Sequence, residues 1–295
     1  MKDYQLKALL QMVESGSIRA AARALGLSQP AVTKAIRDLE QEVGAPLIHR
    51  SFRGVQLTEF GQELSMRARL AQMQLALARE EIQQLLGGKQ ASVAVAVTPV
   101  VFMGALPQVL GAFRREMPHA EVKLYEGLMP WAKSQLREGF AHFAVVGVTQ
   151  GTLDPDFEFE PIARMPMMVA GRAGNPLAAA RDWAEVEGAE WLVHRAPDSV
   201  HTVLFNHLEK QGLQVPRRTM EANTFGVSWG LLTTTDMLLV LPEHFLRIEP
   251  YGRQIVRVPL RMDLPDMTLG ILKLRGAPMS HAAAKLATLF HRHCR

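Results

Sequence analysis

Within residues 21–40, AARALGLSQPAVTKAIRDLE, side chains able to read nucleic acid recur on one side of a helix: Gln29 at its tip, then Thr33, Lys34 and Arg37. At about 100° per residue these share a face with Pro30, while Val32, Ile36, Leu39 and Val43 line the opposite, apolar one. Gln pairs with base edges, Lys and Arg with guanine or phosphate, and Thr with either, so the polar face suits a major groove. Ser28 reads as the N-cap, its hydroxyl accepting from first-turn N–H groups. Pro30 then falls where a missing N–H costs no helical hydrogen bond, and the helix start can hold a phosphate. Residues 17–26, SIRAAARALG, supply a preceding helix with Ser17 as cap, Ile18, Ala21, Ala22 and Leu25 as its stripe, and Gly26 as its stop. Joined by a tight Gly-Leu-Ser turn, the two form a helix-turn-helix. An ordinary helical hairpin with a solvated face fits the same stretch.

Residues 44–61, GAPLIHRSFRGVQLTEFG, shift that balance. Leu47 and Ile48 precede His49, Arg50 and Arg53, a turn at Gly54 follows, and Val55 to Leu57 alternate on the return. That is a small hairpin with a basic tip, a wing able to touch backbone or minor groove. The combined pattern AA..L..SQPAVT.AI..LE..VGAPLI.R..RGV.LT..G resembles the N-terminal winged helix of LysR-type transcriptional regulators, nearly unbroken over residues 1–61. It departs at Thr33, where the family usually has serine, and at Ile48 and His49, where phenylalanine is commoner. The resemblance implies a dimer on an interrupted palindrome in double-stranded promoter DNA. Ser28, Gln29, Pro30, Thr33, Lys34 and Arg37 would then contact the duplex, with Arg50 and Arg53 on the wing and RNA polymerase as a further candidate partner.

The whole chain sets wider bounds. Its 295 residues leave room for about two or three domains. Apolar content of 48% with 21% charged residues is ordinary for a globular protein. A net charge of +4 permits nucleic-acid binding without arguing for it; the local basic face carries that argument. One cysteine, Cys294, rules out an internal disulfide framework and fits a reducing cytoplasm. No leader pattern and no membrane-length apolar run is present, so a cytoplasmic protein without a membrane partner is expected.

The elements that must carry this chemistry follow from periodicity. Residues 60–88 read as one helix in which Leu64, Ala68, Ala71, Leu75, Ala78, Ile82 and Leu85 alternate spacings of four and three. That seam suits a partner helix, and pairing would give a DNA reader a symmetric two-site grip. Packing on its own domain is the other reading. LGGKQ (86–90) then serves as a hinge. Strands at 92–98, 120–127 and 143–149 alternate with helices over 100–118 and 129–139, which implies a parallel sheet covered on both faces. Strands at 166–172, 190–196, 217–223 and 237–243, helices at 200–212 and 225–234, late strands at 255–260 and 267–276, and a closing helix at 280–293 repeat the scheme.

Open parallel sheets bind ligands at strand carboxyl ends, beside helix N-termini. Thr98, Pro99 and Val100 form the clearest such junction, with Met129, Val148 and Thr149 on neighbouring loops. Ser199, Val200 and His201 offer a second helix start, and Phe102, Trp131 and Phe225 could wall the cleft. Two facing helix N-termini suit a small anion. Equally, Thr98 and Ser199 can be plain caps, and Phe102 or Phe225 plain core. Catalysis is not expected: Asp198, Ser199 and His201 lie too close together for a triad, and no G-x-S-x-G elbow holds the serine. GGK (87–89) lacks a P-loop's spacing, and HRHC (291–294) sits at a chain end, so neither cofactor nor metal is expected.

The expected fold is α+β and multidomain: a winged helix-turn-helix over 1–59, a linker and dimerisation helix over 60–88, and an effector-binding domain over 91–295. The resemblance implies that the last comprises two Rossmann-like α/β lobes like those of periplasmic binding proteins. Lobe I would span 91–163 and 268–295 and lobe II 164–267, with crossings near 162–165 and 264–268, and the assembly would be a homodimer or homotetramer. The rival readings are a solute-binding protein and an α/β enzyme with a fused helical module.

Overall fold

The computed structural model describes residues 1–51, 54–86, 91–149, 154–195 and 199–294. The chain divides near Leu86 into two compact units. In the first, α1 (Asp3–Ser15), α2 (Ile18–Leu25) and α3 (Gln29–Val43) precede a hairpin of β1 (Ile48–Ser51) and β2 (Gly54–Leu57), and α4 (Glu59–Leu85) follows. Local chemistry sets each boundary. Ser17 accepts from the Ala20 N–H at 3.2 Å, and Ser28 from the Ala31 N–H at 3.3 Å. Gly26 closes α2 at φ 65°, a left-handed conformation that glycine adopts without a Cβ penalty.

Leu9, Met12, Ala21, Val32, Ile36 and Leu39 bury together as the core of this unit. Val43 departs from the expected apolar face: it is 40% exposed, in the last turn of α3 just before Gly44. The hairpin is tied to α3 by Glu40, whose Oε1 accepts from the Leu47 and Ile48 N–H groups at 2.8 and 3.3 Å. Close packing continues at the start of α4, where a Cβ on Gly61 would lie 2.0 Å from the Leu47 carbonyl oxygen, so only glycine fits.

The second unit begins with β3 (Ser92–Val97), α5 (Pro99–Met103), α6 (Leu106–Glu116), β4 (Glu121–Glu126), α7 (Met129–Glu138), β5 (Phe143–Thr149) and β6 (Phe157–Met165). Next come β7 (Met167–Arg172), α8 (Trp183–Val186), β8 (Glu190–Val193), α9 (Val200–Lys210), β9 (Arg218–Glu221), α10 (Phe225–Thr234) and β10 (Leu239–Pro242). Two 3₁₀ turns lead to β11 (Ile255–Val258), and β12 (Met267–Leu274) and α11 (His281–His293) complete the unit.

One sheet has the order β4-β3-β5-β12-β6, and a second has β10-β7-β11. β8 pairs with β9 and reaches the second sheet through a Trp191–Leu238 bridge. The chain passes from the first sheet to the second across Pro166 and returns between Val258 and Met267.

Three sequence expectations change here. Parallel pairing is confined to β3, β4 and β5 in the first sheet and to β8 with β9, whereas β12 runs antiparallel to β5 and β6, and β7 antiparallel to β10 and β11. The single helix expected over 100–118 splits at Gly104 and Ala105, because Pro107 has no N–H to return to the Met103 carbonyl. And β6 was not anticipated. Pro161 speaks against a strand, yet it sits on the edge of the sheet beside a register shift, where a missing donor is tolerated.

Candidate functional sites

In the first unit, Gln29, Pro30, Thr33, Lys34 and Arg37 line one shallow surface depression. Pro30 opens the first turn of α3, and the buried Val32, Ala35, Ile36 and Leu39 hold the helix from behind, which turns the polar face outward. Gln29, Lys34 and Arg37 are exposed and Thr33 half-buried. Among the described residues, neither Lys34 nor Arg37 has a carboxylate partner, so both charges remain available to an external anion. Arg53 lies outside the described residues, as does the side chain of Arg50.

On α4, Ala71, Leu75, Ala78 and Ile82 are exposed along one stripe, with Leu75 and Ile82 each 54% exposed. Leu64 packs partly on the winged-helix core, and Ala68 is buried. The side chain of Leu85 and the hinge residues 87–90 lie outside the described residues.

In the second unit a cavity of about 170 Å³ collects the carboxyl ends of strands and the amino ends of helices. Thr98, Pro99 and Val100 approach from the β3–α5 junction and Met129 from the start of α7. Ser199, Val200 and His201 line it from the start of α9, and Thr224, Phe225 and Ser228 from α10. Met167, Leu239, Leu241, Phe245 and Met267 supply most of the apolar wall. Among the described residues, no Lys, Arg, Asp or Glu lines it.

Hydrogen bonds fix the polar groups at this site. Ser199 Oγ donates to the His194 carbonyl at 2.5 Å and accepts from the Thr202 N–H at 3.2 Å, so it caps α9. Thr98 caps nothing through its side chain; its Oγ1 turns back to the Val145 carbonyl at 3.4 Å. Thr224 caps α10 by accepting from the Val227 N–H.

His201, 4% exposed, accepts at Nδ1 from the His194 N–H at 3.2 Å. Burial, and then the nearby His194, lowers its pKa to about 4. The ring is therefore neutral near pH 7 and carries its proton on Nε2. Among the described residues, neither His201 Nε2 nor His194 Nδ1 has a hydrogen-bond partner.

Nine of the expected cleft residues line this cavity; two do not. Val148 lies between Gly147 and Thr149, which do, and the two-residue alternation of β5 directs it to the other face. Phe102 sits behind the wall, edge-on to Phe225 at 5.9 Å. Trp131 also leaves the expected aromatic wall and packs near Tyr125 instead. Phe245 takes that place, stacked on Phe225 at 5.6 Å. Sequence reasoning missed Phe245, His194, Met167, Met267 and the Leu239–Leu241 stretch. Extending the strand-end rule to β10 would have found the last of these; Phe245, on a 3₁₀ turn, carried no signal.

Among the described residues, no nucleophile is assembled at the cavity. The Ser199 hydroxyl and the His201 ring each bond to backbone, not to one another, and Asp198 lies outside the described residues. Burial raises the Cys294 thiol to about 11, which keeps it protonated. Among the described residues, no group of three or more His, Cys, Asp or Glu could hold a metal, and no helix is long and apolar enough to cross a membrane.

Two family patterns match the chain: "LysR substrate binding domain" over residues 86–295 and "Bacterial regulatory helix-turn-helix protein, lysR family" over residues 4–62. The HTH-type transcriptional regulator GalR of Pseudomonas putida is 28% identical over 283 residues, covering 96% of this chain and 71% of that protein. TdcA of Escherichia coli K12, also an HTH-type transcriptional regulator, is 22% identical, covering 98% and 92%. Among solved structures, ArgP from Mycobacterium tuberculosis shares the fold at a TM-score of 0.70 with 22% identity, covering 98% of this chain and 96% of its own. CbnR, a LysR family transcriptional regulator, does so at 0.64 with 19% identity and full coverage of both chains.

Proposed function

This chain belongs to the LysR family of bacterial transcriptional regulators, a DNA-binding regulator with an effector-binding domain rather than an enzyme, and from that premise we propose how its parts divide the work. Residues 1–59 read the DNA. α3 enters a major groove with Ser28, Gln29, Pro30, Thr33, Lys34 and Arg37, and Arg50 and Arg53 on the wing touch the backbone. Residues 60–88 pair two subunits along Ala71, Leu75, Ala78 and Ile82, giving two readers for an interrupted palindrome, and pairs of such dimers form a tetramer. Residues 91–295 bind a small organic anion in the cavity, whose occupancy re-angles the readers and their use by RNA polymerase in the cytoplasm. The ligand must bind two quaternary states unequally, because a ligand indifferent to them shifts nothing.

The observation that carries the DNA reading is the exposed cationic face of α3, without a carboxylate partner among the described residues, on a helix capped by Ser28. A CbnR structure of this fold has been solved with its target DNA, at 20% identity and a TM-score of 0.61. LysG from Corynebacterium glutamicum has been solved with bound effector Arg, at 20% identity and 0.65. Both support the division of labour.

The test is a salt titration on a duplex selected by the full chain from a random pool. Affinity should fall steeply as salt rises, since each neutralised phosphate releases counterions. Arg37→Ala should cost about 1–3 kcal/mol if Arg37 reads a base. Unchanged binding by that variant would remove Arg37 from the reading face.

A further inference from the structure

We propose that the cavity takes a small monocarboxylate with an apolar, ring-sized body, held by helix-start N–H groups and by the imidazole of His201, with His194 beside it. This rests on the reading of the cavity as the effector site and names its chemistry.

Charge is the first argument. Among the described residues, no cationic and no anionic side chain lines the cavity. An ammonium or a second carboxylate would be buried without a countercharge, a costly arrangement. Amino acids, dicarboxylates and cationic ligands are therefore disfavoured. A single carboxylate is different, because three helices of ten or more residues start at the wall: α7, α9 and α10. Their first-turn N–H groups carry partial positive charge. On α9 the Ser199 cap takes the Thr202 N–H, and among the described residues those of Val200 and His201 have no acceptor.

The second, independent observation is the pair of imidazoles. Because His201 accepts at Nδ1, its Nε2 holds a proton with nothing to receive it among the described residues. A buried donor left unmade costs about 1–3 kcal/mol. Both His201 and His194 are wall residues whose unpartnered nitrogens lie buried behind the cavity surface, and a ligand oxygen that reached either would recover that loss. His201 is a neutral donor, so it favours an acceptor without demanding a particular geometry of charge.

Size and surface complete the class. An apolar cavity of about 150 Å³ accepts benzene, and this one measures about 170 Å³. Phe225, Phe245, Val100, Leu239 and Leu241 give its wall an aromatic and branched-aliphatic character with no use for a polyhydroxylated body.

The experiment is calorimetric titration of the full chain with benzoate, cyclohexanecarboxylate, benzamide, phthalate, phenylalanine and gluconate. Benzoate or cyclohexanecarboxylate should bind, benzamide about tenfold more weakly because a charge-assisted hydrogen bond is lost, and the other three not measurably. His201→Leu should weaken benzoate about tenfold. Should that variant fail to fold, benzoate must still shift the ring ¹⁵N signals of His201 or His194 in the wild-type chain. Unmoved signals on binding would overturn the role of the imidazoles. No binding by either ring monocarboxylate would overturn the class. Ser228→Trp, which puts a bulky ring at the wall, separates this from the parent reading. If phthalate or phenylalanine binds and Ser228→Trp abolishes it, the cavity stands and the monocarboxylate falls; binding that Ser228→Trp leaves unchanged removes the cavity itself.

Discussion

In α3 the polar face is exposed, charged and drawn from nine consecutive residues, Gln29 to Arg37, whereas the cavity, free of Lys, Arg, Asp and Glu among the described residues, is assembled from residues as distant as Thr98 and Met267. The two regions rest on separate cores and use different physics. Exposed cations act through fields that salt screens over about 10 Å. A largely apolar cavity acts through shape and desolvated hydrogen bonds, which salt barely touches.

The contrast can be broken most forcefully at Trp191. Its ring is fully buried, its Nε1 donates to the Val186 carbonyl at 3.0 Å, and Trp183 packs against it at 5.2 Å. Trp191→Ala should destabilise the second unit by about 3–5 kcal/mol. Melting followed by calorimetry should show that transition fall while the winged-helix transition stays in place. Joint loss would show that the two regions are one cooperative body.

Acid should act unequally as well. The folded pKa of His201 is lowered from 6.5 to about 4 by burial and by His194. Below pH 6.5 the unfolded chain takes up a proton that the folded ring refuses, so the stabilisation is complete above 6.5 and is lost as pH falls through 4. The loss should approach about 3 kcal/mol, confined to the second unit. Denaturant titrations from pH 7 to pH 4 would measure it, and His201→Leu should flatten the curve.

The smallest effect sharpens the comparison on the other side. Ser28→Ala removes the cap of α3 and should cost the first unit about 1 kcal/mol. Ligand affinity in the cavity should not move; a change there would reveal coupling already present in the free protein.

What could be read beforehand follows the same division. The caps Ser17 and Ser28, the stop at Gly26 and the outward face of α3 depend on contacts within a few residues, so local pattern was enough. Val43 shows where even that weakens, because at a helix end the apolar stripe runs past the partner that would bury it. In the second unit, strand positions were legible from alternation, but sheet direction was not. The antiparallel entry of β12 is a pairing over more than a hundred residues, and nothing in MTLGILKL records it. Strand β6 was hidden for a related reason, since Pro161 is tolerable only on an edge.

The cavity marks the limit most clearly. Helix starts at Pro99, Met129, Val200 and Phe225 announce themselves in sequence, because a cap and a first turn are local. Phe245, His194 and Met267 reach the same wall only through the packing of distant elements. The sequence by itself therefore determined the first unit's helices, the caps at Ser17 and Ser28 and the outward cationic face of α3, each an affair of neighbours along the chain. Tertiary structure alone decided that, among the described residues, no Lys, Arg, Asp or Glu lines the cavity and two imidazole nitrogens there lack partners. Burial and hydrogen-bond satisfaction are set by residues that meet only after the chain has folded.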